Sequence, residues 1–108
     1  MGFLDAVQAA RFSPEKLAKT NLFETPQMFC DIYGLEPGQS QKAHAHASAS
    51  KFYFVLQGRG LFQVGVEKKE LGPGELAWSA PGEEHGVENQ SGERLLLLVA
   101  MAPNPNVR

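Results

Sequence analysis

This chain has little cysteine, no excess of positive charge and no long apolar run. The 108 residues include one cysteine, Cys30, which excludes an internal disulfide bond. Ten basic and twelve acidic residues give a formal charge of −2 without a basic stripe, which argues against nucleic-acid binding. No apolar run approaches the roughly 18–20 residues of a membrane span, and the N-terminus lacks the pattern of a secretion signal. We therefore expect a cytoplasmic protein that binds neither nucleic acid nor membrane.

Glycine and proline, by contrast, are plentiful and regularly placed. Eleven glycines and seven prolines separate short apolar runs, a spacing typical of an all-β domain. The predicted strand at residues 51–57 carries apolar or aromatic side chains on both faces, and residues 95–101 are almost entirely apolar. Both patterns are typical of strands that are covered on both sides. About seven to nine short strands without a central helix predict one small sandwich or barrel.

The first 24 residues have a different pattern, which predicts an N-terminal arm. Apolar residues spaced near a helical period indicate a short helix within residues 1–12. Ser13-Pro14-Glu15 is a helix start signal, so a second short helix is expected through Thr20. We expect this arm to pack over a sheet edge or against a second subunit. Residues 25–102 then form the barrel, and residues 103–108 form a proline-containing tail.

The chain has only three histidines, and all of them lie in segments that a strand or turn can hold. His44 and His46 are two residues apart in an extended segment, so their side chains project from the same face. His85 follows the Pro81-Gly82 turn signal. Three imidazoles can occupy one face of a metal ion, and imidazole suits Zn, Fe, Ni and Cu.

The same stretches resemble the two motifs of the cupin family. The first motif is a glycine, His-x-His, a glutamate and a second glycine, and it is matched at every spacing by Gly38, His44, His46, Lys51 and Gly58, with lysine at the glutamate position. The second motif is matched by Gly74, Ala80, Gly82, His85 and Asn89, with alanine where proline is expected. This resemblance implies a double-stranded β-helix, or jelly-roll barrel.

The resemblance also implies a metal site and a small-molecule pocket. Carried over residue by residue, the family's ligands correspond to His44, His46 and His85, which would hold a divalent ion such as Fe, Mn, Ni, Zn or Cu. A site of three histidines without an acidic ligand is also similar to the thiol dioxygenase branch of cupins.

Lys51 is the difference from the cupin motif that has the largest physical consequence. If its ammonium points inward, repulsion by a divalent ion at about 5 Å is of order 6–7 kcal/mol at an effective dielectric of ~20. Four outcomes would relieve this repulsion. The lysine loses its proton, swings outward along its flexible stem, or holds an anion such as a substrate carboxylate, or the site holds no metal.

Several residues near the motifs are further candidates. Tyr53 shares strand parity with Lys51, so both are candidate catalytic residues that face the cavity. Glu83 and Glu84 flank His85 and either orient its ring or belong to a solvated turn. We expect Trp78 in the core or in a pocket wall.

Two apolar features remain outside the expected cavity. Cys30 lies in an alternating strand pattern, where we expect it to be a small buried hydrophobe. Phe52, Phe54 and Leu56 fall on the outer face of their strand, and covering this face predicts a homodimer.

Two functions are compatible with these residues. The first is a metal-binding cupin that holds a small polar or anionic molecule beside a three-histidine site, as an oxygenase or isomerase-type enzyme. The alternative is a non-catalytic cupin that binds or senses a small molecule, with or without metal. A structural domain with unused histidines is the third hypothesis.

Overall fold

The computed structural model describes residues 2–106, which form nine strands and one short helix. The helix α1 spans Ala6–Ala9, and the strands are β1 Ala18–Glu24, β2 Phe29–Leu35, β3 Ser40–His44, β4 Ser50–Gln57, β5 Gly60–Val64, β6 Glu67–Leu71, β7 Leu76–Ser79, β8 His85–Glu88 and β9 Leu95–Ala102. Among these residues no helix has the length and apolarity needed to cross a membrane.

The strands form two antiparallel sheets. The first has five strands in the order β1-β2-β9-β4-β7, and the second has four in the order β3-β8-β5-β6. Consecutive strands repeatedly enter opposite sheets, as in a jelly roll. The prediction of an all-β, double-sheet cupin barrel with a short helix near the N-terminus is therefore confirmed.

The core lies between the sheets and is centred on β9. Strand β9 pairs with β2 on one side and β4 on the other, and all but two of its eight residues are buried. On β4 the inward residues are Lys51, Tyr53 and Val55, all buried, while Phe52 and Phe54 are partly exposed on the outer face. The predicted division of β4 into an inner and an outer face is confirmed, and Cys30 is buried as predicted.

The predicted helix from Ser13 to Thr20 is wrong. The Ser13 Oγ accepts a hydrogen bond from the Glu15 backbone N–H at 3.3 Å, as a helix cap would, but no helix follows. Instead β1 begins at Ala18 and pairs with the edge of β2, where Thr20 lies opposite Ile32. An isolated helix of two turns is marginal in water, whereas the open edge of β2 offers backbone partners. The division into arm, barrel and tail stays a prediction.

The prediction that Trp78 lies in the core is wrong, whereas the alternative, a pocket wall, agrees with the surface pockets that Trp78 lines. Trp78 is 65% exposed, and its neighbours Ala77 and Ser79 are buried. Alternation along β7 allows only one of the two faces to point inward, and that face holds the small residues. The side of β7 that faces outward therefore presents Leu76 and Trp78 to solvent.

Candidate metal centre

The three histidines meet at one end of the barrel. One ring nitrogen from each lies within 4.8 Å of the others, and the ring centroids of His44 and His85 are 4.5 Å apart. The sequence predicted this convergence of His44, His46 and His85. Their assignment as metal ligands stays a prediction.

Backbone pairing fixes where each histidine lies. His44 ends β3 and His85 begins β8, and the two residues are partners across the ladder. His46 follows β3, and its carbonyl accepts a hydrogen bond from the Gly82 N–H at 2.8 Å. Gly82 has a φ of 82°, in the left-handed region that glycine adopts without strain. The turn before His85 therefore also anchors His46.

The orientation of two of the rings is set by contacts at Nδ1. The Nδ1 of His44 lies 2.8 Å from the Lys42 carbonyl, and the Nδ1 of His85 lies 3.1 Å from the Glu83 carbonyl and 2.9 Å from the Ser79 Oγ. A carbonyl can only accept, so each Nδ1 carries a proton, and in the neutral form of each ring the lone pair is then on Nε2. Among the described residues, the His85 Nε2 is the one buried side-chain nitrogen or oxygen without a hydrogen-bond partner.

Groups other than a glutamate carboxylate orient the His85 ring. Glu83 contacts the His85 ring through its backbone carbonyl, while its carboxylate accepts a hydrogen bond from the Ala80 N–H at 3.1 Å. Glu84 is exposed. The hydroxyl of Ser79, which is 1% exposed, provides the side-chain contact to His85 instead.

Burial keeps His46 and His85 in the form that binds metals. Desolvation lowers the pKa of His85 to about 4. Desolvation, followed by the charge of His44, also lowers the pKa of His46. Neutral imidazole is the species that donates a lone pair to a metal ion.

Lys51 lies inside the barrel, with 4% of its surface exposed. Its Nζ donates a hydrogen bond to the Gln41 Oε1 at 3.1 Å and lies 4.9 Å from the centroid of the Tyr53 ring. Burial, followed by the charge of Lys19, lowers the pKa of Lys51 to about 7. The outcome in which Lys51 swings outward is thus not the one observed.

Comparison with known proteins agrees with this architecture. The Cupin domain family model matches residues 31–101, which include all three histidines and Lys51. The chain belongs to the cupin family.

This cupin is similar to solved and curated proteins from several organisms. The crystal structure of TT1209 from Thermus thermophilus has a TM-score of 0.94 and 43% identity, covering 97% of this chain and 100% of that one. The oxalate-binding protein of Thermotoga maritima is 28% identical over 79% of this chain and 69% of its own length. The uncharacterized protein MJ1618 of Methanocaldococcus jannaschii is 30% identical over 61% of this chain, and the match spans about half, 53%, of that protein.

Gln41 is a residue of this cupin's cavity that sequence reasoning missed. Its Oε1 accepts hydrogen bonds from the Tyr53 hydroxyl at 2.5 Å and from the Lys51 Nζ at 3.1 Å. In a regular strand Gln41 and His44 would point to opposite faces, because they are three residues apart. A register shift between them in the β3–β8 ladder turns both toward the interior.

One signal in the sequence marks this irregularity. Gly86 lies inside β8, and a Cβ there would lie 2.9 Å from the Gln41 carbonyl oxygen and 2.9 Å from the Ala43 nitrogen. A glycine within a strand indicates a bulge or a close backbone approach. Gly86 therefore permits the irregular pairing that brings Gln41 into the cavity.

Two charged residues of the neighbouring strands also face this region. Asp31 on β2 accepts a hydrogen bond from the Asn21 Nδ2 at 2.9 Å, and desolvation raises its pKa. Lys19 on β1 lies opposite Tyr33 in the ladder, and its Nζ is 5.4 Å from the centroid of that ring. Neither residue lies in a family motif, which is why the sequence did not single them out.

Proposed function

We propose that this cupin binds a divalent metal ion through His44, His46 and His85 and holds a small anionic molecule beside it. The observation that carries the proposal is the buried His85 Nε2, which has no partner among the described residues. An unsatisfied buried polar atom costs roughly 1–3 kcal/mol. A metal ion bound between the three rings would satisfy that lone pair.

The donor set fits a divalent transition metal. Three imidazoles whose ring nitrogens lie within 4.8 Å of one another suit Zn, Fe, Ni or Cu, and Mn is acceptable when oxygen ligands complete the site. When bound, such an ion supplies Lewis-acid or oxygen-activating chemistry. The protein's own contribution is to hold the His44 and His85 rings by hydrogen bonds at Nδ1 and to exclude water from His85.

Lys51 supports the anionic character of the ligand. It is buried, and none of the ion pairs formed by the described residues involves it. A buried cation is stable only when it is paired or when it loses its proton. A ligand carboxylate would pair with the ammonium and would also offset the charge of the metal. Because the Thermotoga maritima relative is named an oxalate-binding protein, oxalate is the first carboxylate to test.

If the protein is an enzyme, Lys51 and Tyr53 are the residues we propose to contact the substrate. Lys51 has a pKa lowered to about 7, which is suitable for general acid or base catalysis near neutral pH. The Tyr53 hydroxyl donates to Gln41 and has a raised pKa because it is buried. It therefore remains protonated, and because its one proton is donated to Gln41, it would have to leave Gln41 to donate to a substrate. Binding without turnover is the alternative.

Two measurements separate these functions. The first is metal analysis of protein purified without chelator, followed by calorimetric titration with oxalate. Near one metal per chain and oxalate binding that requires the metal would support the proposal, and less than about 0.1 metal per chain would contradict it.

The second measurement is oxygen uptake by Fe(II)-loaded protein with a panel of thiols and small acids. Uptake supports an oxygenase. Oxalate binding in the absence of any turnover supports a binding module.

We further propose that the protein is a cytoplasmic homodimer. Phe52 and Phe54 are partly exposed on the outer face of β4, and Leu76 and Trp78 on the adjacent β7 are exposed. A contiguous apolar face of this kind is typical of a surface that a second copy covers. Sedimentation of Trp78→Ser against the native chain tests this: conversion to monomer supports the proposal, and an unchanged mass contradicts it.

A further inference from the structure

Lys19 and Lys51 approach the same aromatic ring from two strands of the five-stranded sheet. The Nζ of Lys19 is 5.4 Å and the Nζ of Lys51 is 5.6 Å from the centroid of the Tyr33 ring. Lys51 is buried on β4, whereas Lys19 is exposed on the edge strand β1. Lys19 is the ladder partner of the buried Tyr33, so two lysines lie around one ring on the inner face of this sheet, one buried and one exposed.

The charge of Lys19 reaches the buried lysine. It contributes, after burial, to the lowered pKa of Lys51. This electrostatic effect agrees with the geometry of the two ammonium groups around Tyr33.

One acidic side chain opposes the two lysines. Asp31 affects the pKa of Lys51, and the charges of both lysines partly offset the desolvation that raises the pKa of Asp31. A single carboxylate neutralises one of the two ammonium groups, and a divalent ion at the histidines would add two more positive charges. A monoanion would leave most of this charge uncompensated in a partly desolvated site, whereas a dianion would come closer to neutrality.

Building on the proposed function, we propose that Lys19 and Lys51 form a second anion-binding position opposite the three histidines, and that the ligand is a small dicarboxylate. One carboxylate lies at the histidine side and the other between the two ammonium groups. Lys51 provides the buried partner, and the exposed Lys19 is a specificity-determining residue. Because Lys19 is exposed, its replacement leaves the fold intact.

The test is calorimetric titration of the metal-loaded protein with matched acids. Oxalate, malonate and succinate are compared with acetate and propionate at low ionic strength. We expect at least one dicarboxylate to bind about tenfold or more tightly than either monocarboxylate, since two charge-assisted contacts replace one. Lys19→Ala should weaken that dicarboxylate by about threefold to fivefold, the effect of one exposed ion pair, and change acetate binding less than twofold.

Lys69→Ala is the matched control. Lys69 is also exposed but lies on β6, in the other sheet, so its removal makes the same change in net charge away from the cavity. Lys19→Arg should restore dicarboxylate binding. Equal losses in Lys19→Ala and Lys69→Ala, or equal affinity for acetate and every dicarboxylate, would overturn this inference while the proposed metal site stands. If the native protein binds no metal, the proposed function fails and the inference fails with it.

Discussion

His44 and His85 lie directly opposite each other across strands β3 and β8, with their ring centroids 4.5 Å apart. Two of the three rings are thus positioned by a backbone ladder, and the third is tied to the Gly82 turn by a hydrogen bond. Side chains mounted on paired strands hold their geometry more precisely than side chains on loops. The site is preorganised, so removing one ring should not rearrange the other two.

Replacing a single histidine should abolish metal binding without unfolding the protein. His44 is partly exposed, so His44→Ala leaves the core intact while removing one of three donors. We expect metal content to fall from near one per chain to below about 0.1, with circular dichroism unchanged. Ser40→Ala, an exposed change at the other end of the same strand, is the control. Metal content in His44→Ala equal to that of the control would show that this histidine is not a ligand.

Ser79→Ala should weaken metal binding through His85. The Ser79 Oγ lies 2.9 Å from the His85 Nδ1, so its loss leaves the ring held by the Glu83 carbonyl alone. Loss of an outer-shell partner of this type costs about 10–100-fold in metal affinity. Competition titration with a chelating dye measures the effect, and Ser79→Thr, which retains a hydroxyl, is the conservative control. Native affinity in Ser79→Ala would mean that the hydroxyl does not orient the ring.

The sequence predicted the residues that belong to a motif, but not the residues whose direction depends on how the strands pair. His44, His46 and His85 were found because motif spacing survives irregular pairing. Gln41 was missed because alternation along a strand predicts the direction of a side chain only while the strand pairing is regular. The register shift between Gln41 and His44 allows both side chains to point into the barrel. Trp78 was placed inside because bulky aromatics are usually buried, yet the strand's other face took the interior.

The N-terminal arm shows the same limit in another form. Ser13 and Pro14 form a local start signal, but the neighbouring strand edge decided the conformation of the residues that follow. A local signal cannot indicate an open sheet edge that is distant in the chain.

Gln41→Leu should destabilise the protein because two buried donors lose one acceptor. The Gln41 Oε1 accepts from both Lys51 and Tyr53. Leaving buried polar groups unsatisfied costs about 1–3 kcal/mol each, so we expect the free energy of unfolding to fall by about 2 kcal/mol or more in urea titrations. Gln63→Leu is the matched control, since Gln63 is partly buried but hydrogen-bonds only to the Gly65 carbonyl. Equal effects of the two changes would argue against a structural role for the Gln41 contacts.

Lys51→Glu should exchange anion binding for tighter metal binding. The variant places a carboxylate where the cupin motif has glutamate, so a repulsive charge near the metal becomes an attractive one. We expect metal affinity to rise by about tenfold or more and oxalate binding to disappear. Lys51→Met separates the two effects because it removes the ammonium without adding a ligand, so it should lose oxalate binding and gain less metal affinity. Oxalate affinity that survives in both variants would contradict the role of Lys51 as the anion's partner.

The lowered pKa of Lys51 predicts how stability depends on pH in the metal-free protein. Burial, followed by the charge of Lys19, lowers this pKa from 10.5 to about 7. Between these values the unfolded chain binds a proton that the folded protein lacks. The free energy of unfolding therefore rises with pH across this window, by at most about 1.4 kcal/mol per pH unit.

Lys51→Met isolates that contribution. Lys51 is faced by Tyr53 of its own strand and by groups from other parts of the fold, namely Gln41, Tyr33, Lys19, Asp31, His46 and His85. Gln41 does not titrate, and burial raises the pKa of Tyr33 to about 12 and that of Tyr53 further. The stability of Lys51→Met relative to the native protein should thus fall steadily from pH 7 to pH 10 in urea titrations, because only the native protein gains stability over this range. A difference that is constant over this range would mean that Lys51 keeps its proton on folding, and the ammonium would then have to be stabilised within the barrel itself.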